Sequence, residues 1–275
     1  MKINQPNRVP ASRGWHWINQ GSRYFLAYKS QWFITLIVLF SFTFILFALS
    51  PLFQLILVIV FPLISAGLAM ACVDIERGQS MSFTYLLKAK DNSNRMNIFR
   101  YGLLVIVLII FAQLLSSLFL SLLGVSSQEV IDAVKLLKEN EEITFTLILS
   151  SPVLFKFVTI NLLFLLPVMA VNQVTPVLLA FSSLTALDAL KLSFQAVYKN
   201  LSAFVTYGLV FVVFITFIIL ILKLFIALLL TVFGENSKVA LLVYMGLFMV
   251  SLMSLTSLSY CSAYVIFKDL FTGDN

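Results

Sequence analysis

Six long apolar stretches leave this chain few folds to choose from: residues 32–49, 52–72, 101–123, 153–171, 201–222 and 239–261. About 20 apolar helical residues cross a hydrocarbon core roughly 30 Å thick, so each stretch is long enough to span it. Hydrocarbon offers backbone amides no partner, which makes helix the state such runs adopt there. The intervals between them reach only about 30 residues, too short to build an independent soluble core. The expectation is an all-α, polytopic transmembrane helical bundle of six spans, with residues 1–275 forming a single integral membrane domain. Composition excludes the alternative. Hydrophobic residues make up 61% and charged residues 11%, against about 45–50% and 25% in soluble domains.

The net charge of +6 gains meaning once it is mapped onto the spans. Thirteen of the 18 Lys and Arg residues fall on one side of the six-span scheme, among them Arg8, Arg23, Lys29, Lys88, Arg95 and Lys199. The positive-inside rule makes that side cytoplasmic and puts both termini there. Glu129, Asp132, Glu139, Glu141 and Glu142 give the largest outer loop its acidic character. A nucleic-acid partner would need a clustered basic face on a soluble module. The expected partners are instead the bilayer, with anionic headgroups beneath the basic side, and a membrane-protein partner or a second copy of the chain. The start of the chain has no short apolar region followed by a small-residue cleavage site, so no signal peptide is expected. Cys72 and Cys261 fall toward cytoplasmic helix ends, where structural thiols are expected rather than a disulfide.

Amphipathic entries precede the spans. In residues 13–31, Trp15, Ile18, Gly21, Phe25, Tyr28 and Trp32 recur at helical spacing, with Arg23 and Lys29 off that face. Aromatic rings at headgroup level with cations toward anionic lipid define an interfacial helix. Trp15, Trp17, Arg23, Lys29 and Trp32 are therefore expected at the membrane interface. Residues 182–200 repeat the theme: Leu187, Leu190, Phe194, Val197 and Leu201 form an apolar face, while Lys191 and Lys199 are interface cations. Thr185 followed by Asp188 predicts an N-terminal cap for that helix. A shorter entry opens at Phe83 and runs to Arg100, so the chain parses as three units of one entry helix and two spans.

Within the spans, Ser50-Pro51 is the only break between the first two, and Ser65/Ala69 with Gly67/Ala71 are small pairs suited to close helix packing. Lys156 and Lys223 lie near outer span ends, within snorkelling reach of headgroups. Residues 143–149 and 224–233 are too short to span and read as helix extensions or outer interfacial segments. Pro167 and Pro176 frame Asn172-Gln173, and the amides beside a helix broken there, with Asn161 nearby, would either line a polar cavity at Asn161, Asn172 and Gln173 or simply re-satisfy freed carbonyls and bond between helices.

No catalytic, cofactor-binding or metal-ligating set emerges. His16 is the only histidine, and HExxH, Cys–His, Walker A and GxGxxG patterns are all missing. The expected function is non-enzymatic, with no cofactor: a scaffold or regulator of a membrane process. The alternative is a small-molecule or lipid transporter using the cavity near Asn161, Asn172 and Gln173.

Residues 9–17, with Arg13-Gly14-Trp15-His16-Trp17 at their end, resemble the opening of an uncharacterised family of proteobacterial six-span inner-membrane proteins. Residues 62–68, leading to Ile75-Glu76-Arg77-Gly78, resemble that family's second span and its polar exit. Ala186-Leu187, Ser193-Phe194 and Lys199-Asn200 are similar to its pattern before span five, shared more distantly with the membrane domain of glycerophosphodiester phosphodiesterases. The resemblance implies the six-span fold and a bacterial inner-membrane location. It brings no activity, because nothing in this sequence matches the phosphodiesterase catalytic domain.

Overall fold

The computed structural model describes residues 5–50, 53–139, 150–234 and 237–272. Among them there is no strand, and the helices follow in order: α1 (Arg13–Ala27), α2 (Lys29–Leu49), α3 (Phe53–Glu76), a 3-10 helix (Phe83–Asp91), α4 (Arg95–Leu122), α5 (Ser127–Glu139), α6 (Pro152–Ala180), α7 (Ala186–Lys199), α8 (Leu201–Phe233) and α9 (Lys238–Phe271). Six of these, α2, α3, α4, α6, α8 and α9, are long and apolar enough to cross a membrane. The chain is a multi-pass, all-α membrane protein.

Most of these helices outrun the apolar stretches. The second and sixth extend to Glu76 and Phe271, and the third begins at Arg95. Hydropathy marks the hydrocarbon, whereas the i to i−4 ladder continues into polar flanks. Residues 224–233 are the end of α8, which at 33 residues is about 50 Å long. The expected break at Pro167 and Pro176 is absent, since α6 runs through both as one helix. Proline is tolerated in spanning helices because neighbouring groups re-satisfy the freed carbonyls. Pro51 of the expected Ser50-Pro51 break, the loop acids Glu141 and Glu142, residues 143–149 and Glu235-Asn236 lie outside the described residues.

The chain forms two compact units. Leu103–Asn172 is one, and the remaining residues, up to Gly102 and from Gln173 onward, are the other. In the larger unit, α1 is clamped between α8 and α9. Gly14 lies against the backbone of Ala203 and Tyr207, and Gly21 against Ser262. The buried side of α1 is therefore Gly14, Trp17, Ile18 and Gly21, a stripe offset from the expected aromatic one. Trp15 is 53% exposed, stacking on one side with Phe214.

Trp17 and Trp32 are fully buried in protein, so neither ring meets lipid headgroups as the interfacial reading expects. Trp17 packs on Phe204 with ring centroids 5.1 Å apart, and its indole N–H donates to Asp269 Oδ2 at 2.7 Å. Arg13 donates to the same carboxylate from Nε at 2.8 Å and also from Nη2. Three donors on α1 thus compensate one buried carboxylate on α9, which is what makes a charge tolerable there.

Around α3, the 3-10 helix packs so closely that Gly67 meets the carbonyl of Tyr85. The Tyr85 hydroxyl donates to Asp74 at 2.5 Å; burial, followed by this hydrogen bond, pushes the phenol up to about 12. Tyr264 and Lys268 of α9 donate to Glu76 at 2.7 and 2.6 Å. Asn92 and Asn94 donate to the carbonyls of Ala180 and Leu179, satisfying the C-terminal end of α6 that has no helical partner. Cys72 and Cys261 are free and buried.

A serine-lined cleft as candidate functional site

The smaller unit has its own apolar cluster. Leu120, Val125 and Ile160 are buried, with Val130, Val153, Phe157 and Phe164 packed against them. Phe119 and Phe164 add a ring contact at 5.4 Å. Gly124, at φ +74°, takes the left-handed conformation that ends α4, turning the chain toward α5.

Beside this cluster is a cleft of about 620 Å³, within the range of small-molecule sites. Its α4 wall carries Gln113, Ser116, Ser117 and Ser121, at spacings of three, one and four that share one helical face. The start of α5 supplies Ser126 and Ser127, and α6 supplies Phe157 and Asn161 one turn apart. Leu114, Leu118 and Ile131, all exposed, form an apolar rim. Among the described residues, no charged side chain lines the cleft.

Ser116 is the chemically unusual member. Its side chain is 2% exposed, and its hydroxyl has no hydrogen-bond partner among the described residues. Helical Ser and Thr ordinarily bond back to the i−4 carbonyl. Thr43, Thr206, Ser251 and Ser254 in this chain do so at 2.8–3.0 Å. Ser193, Ser257 and Ser262 are also buried and unbonded, but only Ser116 of this group is among the residues that line the cleft. A buried hydroxyl without a partner costs about 1–3 kcal/mol. Asn161 directs its amide N–H₂ to its own helix, at Phe157 O, 2.8 Å away. Its side-chain carbonyl is the group left to accept from a ligand.

The start of α5 is held by a reciprocal cap. Glu129 N donates to Ser126 Oγ at 3.2 Å, while Ser126 N donates to Glu129 Oε2 at 2.7 Å. Val125 and Val130, both in the apolar cluster, bracket the cap as a hydrophobic staple. The backbone and hydroxyl hydrogen bonds from Ser126 lower the Glu129 carboxyl below its ordinary value. A lowered folded-state pKa means the cap contributes above the unfolded value of 4.5 and is lost as pH falls through the folded one. The hydrogen-exchange protection factors of residues 127–130 are expected to fall as pH drops from 4.5 through the lowered Glu129 value. Glu129→Gln should show faster exchange at neutral pH and no such acid step.

Asn161 lines the cleft, whereas Asn172 and Gln173 do not. Asn172 lies 11 residues further along α6, about 17 Å by helical rise. Gln173 belongs to the larger unit and donates to Ser259 Oγ at 2.9 Å. The serines that build the cleft went unselected, although Gln113, Ser116, Ser117 and Ser121 recurring on one face of an apolar helix was a readable signal.

Of the expected interface residues, Arg23, Lys29 and Lys191 are exposed. Lys199 is also exposed, and its Nζ donates to Pro6 O at 2.6 Å. Helix α7 buries its small side, Ala186, Ala189, Ser193, Ala196 and Val197, and leaves Leu187 and Phe194 exposed, as is Leu201 at the start of α8. Its Thr185 Oγ1 accepts from Asp188 N at 3.2 Å, as the cap predicts. His16 lies on the clamped α1, its pKa lowered by burial and then by Arg13. Among the described residues, no three His, Cys, Asp or Glu side chains are grouped to hold a metal.

No family model, no curated protein and no solved structure matches the chain.

Proposed function

We propose that this is a non-enzymatic membrane protein that binds a membrane-accessible small molecule or lipid in the cleft of residues 103–172. The bacterial inner membrane is its proposed location, with both termini cytoplasmic. The one-sided Lys and Arg distribution and the resemblance of the chain's opening support that placement.

The unpaired, buried Ser116 hydroxyl carries the binding reading. A protein that only packed against lipid would have no use for a solvent-sized opening floored by hydroxyl and amide groups. The lining offers hydrogen bonds but no carboxylate, imidazole or thiol to act as acid, base or nucleophile. Binding and handling of a compound therefore fit the cleft better than its chemical conversion. The scaffold reading rests on exposed apolar helix faces, which hydrocarbon covers equally well.

The test is native mass spectrometry of protein taken from its membrane into lipid nanodiscs without detergent. One bound species per chain is expected for the wild type. It should be lost in Ser116→Phe, which fills the floor, and in Asn161→Leu. It should be retained in Ser259→Ala, a change outside the cleft. Equal occupancy in all three variants, or none in the wild type, overturns the reading.

A further inference from the structure

We infer that the ligand of this cleft is an uncharged amphiphile with a hydroxyl-bearing head. The head sits over Ser116 and Asn161, and the tail leaves across Leu114 and Leu118; this assignment rests on the cleft being a binding site at all. Three observations set the class. First, among the described residues the lining contains no Lys, Arg, Asp or Glu, and the neighbouring Glu129 carboxylate is already engaged by Ser126 N and Oγ, so neither a phosphate nor an ammonium head finds an unengaged counter-charge. Enclosing such a head here means stripping its hydration without repayment, which is strongly unfavourable. Second, the polar groups are five hydroxyls, of which Ser126 is engaged in the α5 cap, and a glutamine and an asparagine amide beside one apolar cluster. Hydroxyls both donate and accept, and an amide does each from separate atoms. Another hydroxyl head is the group that pairs with all of them.

Third, the lining is mixed at its open side: Gln113, Ser117, Ser121, Ser126 and Ser127 are exposed beside Leu114 and Leu118, while Ser116 lies beneath them at 2% exposure. A ligand polar throughout would leave Leu114 and Leu118 uncovered, and a purely apolar one would leave the serines and amides unpaired. An amphiphile satisfies both. Specificity comes from Ser116, because a site built around a hydroxyl partner rejects analogues that cannot supply one.

The test uses the full chain in nanodiscs with three amphiphiles of matched tail: monodecanoylglycerol, decyl sulfate and decyltrimethylammonium. Dissociation constants are read by microscale thermophoresis below the level that disrupts the disc. Monodecanoylglycerol should bind at least about tenfold more tightly than either charged probe, a preference that 1.4 kcal/mol per decade converts to at least about 1.4 kcal/mol. Ser116→Ala should remove most of that preference while leaving the melting temperature of the unliganded protein unchanged or higher. Its loss deletes a hydroxyl that has nothing to bond. A charged probe binding as tightly as the neutral one, with both lost in Ser116→Phe, overturns the class while keeping the cleft as a site. No saturable binding of any probe, or binding insensitive to Ser116→Phe and Asn161→Leu, overturns the cleft itself.

Discussion

Arg13→Leu is expected to destabilise the larger unit by about 3–5 kcal/mol, the cost of leaving a buried carboxylate without its counter-charge. The Asp269 side chain is only 3% exposed, and Arg13 supplies its sole ion pair among the described residues. The guanidinium is itself 29% exposed, so removing it adds little desolvation gain to offset the loss. Trp17 would still donate its indole N–H, but one neutral donor does not replace a charged, two-point contact. Unfolding in mixed micelles, followed by tryptophan fluorescence, reads the change. The double variant Arg13→Leu with Asp269→Leu is the decisive companion. Replacing both charges with apolar groups removes the unpaired carboxylate, and such exchanges are often near neutral. What remains is the Trp17 N–H without an acceptor, about 1–3 kcal/mol. The double variant should therefore be more stable than Arg13→Leu alone. If it is less stable, the pair is not a charge compensation, and the packing of α1 has some other cause.

The same pair explains what the sequence disclosed and what it withheld. Spanning helices were legible because each must satisfy its own backbone, and hydropathy reports that requirement segment by segment. The cap at Thr185 was legible for the same reason, being a contact within four residues. The placement of Trp17 was not. Tryptophan beside Arg and Lys at the threshold of a span describes an interfacial belt equally well, and only Asp269, 252 residues away, decides otherwise. Gly14 carried the missing information. It lies seven residues before Gly21, on the side that meets α8 and α9. The expected stripe held Ile18 and Gly21 but, being set by the large aromatics, left out Gly14 and Trp17. Helix α7 repeats the lesson, burying alanines and exposing Leu187 and Phe194. In a membrane protein large apolar residues can face lipid at no cost, so size alone does not point to the protein core. The cleft was half legible. Asn161 was selected as an amide in an apolar run, but the Pro167 and Pro176 cue drew attention along the helix to Asn172 and Gln173. The serine face of α4 passed unread because serine is common in spanning helices, where its usual i−4 bond conceals no function.

If glycines set the position of α1, then Gly14→Ala is expected to be as damaging as loss of the ion pair. A Cβ at that position would fall inside contact distance of the Ala203 carbonyl and of Tyr207 N, at 2.6 Å from the latter. Both are backbone atoms of α8, which cannot rotate aside as a side chain would. Overpacking against adaptable side chains costs about 1–3 kcal/mol; here α1 must move off α8 as a body. That movement withdraws Trp17 from Phe204 and stretches the bonds to Asp269, so the loss should approach or exceed the upper end of that range. The control is Gly208→Ala on α8, where an added Cβ meets nothing within 4 Å. Alanine there gains up to about 1 kcal/mol of helix propensity, so that variant should melt no lower than wild type. Two identical substitutions, one against backbone and one into open space, should thus move stability in opposite directions. A Gly14→Ala variant as stable as Gly208→Ala would mean that α1 is not held against α8 through this contact.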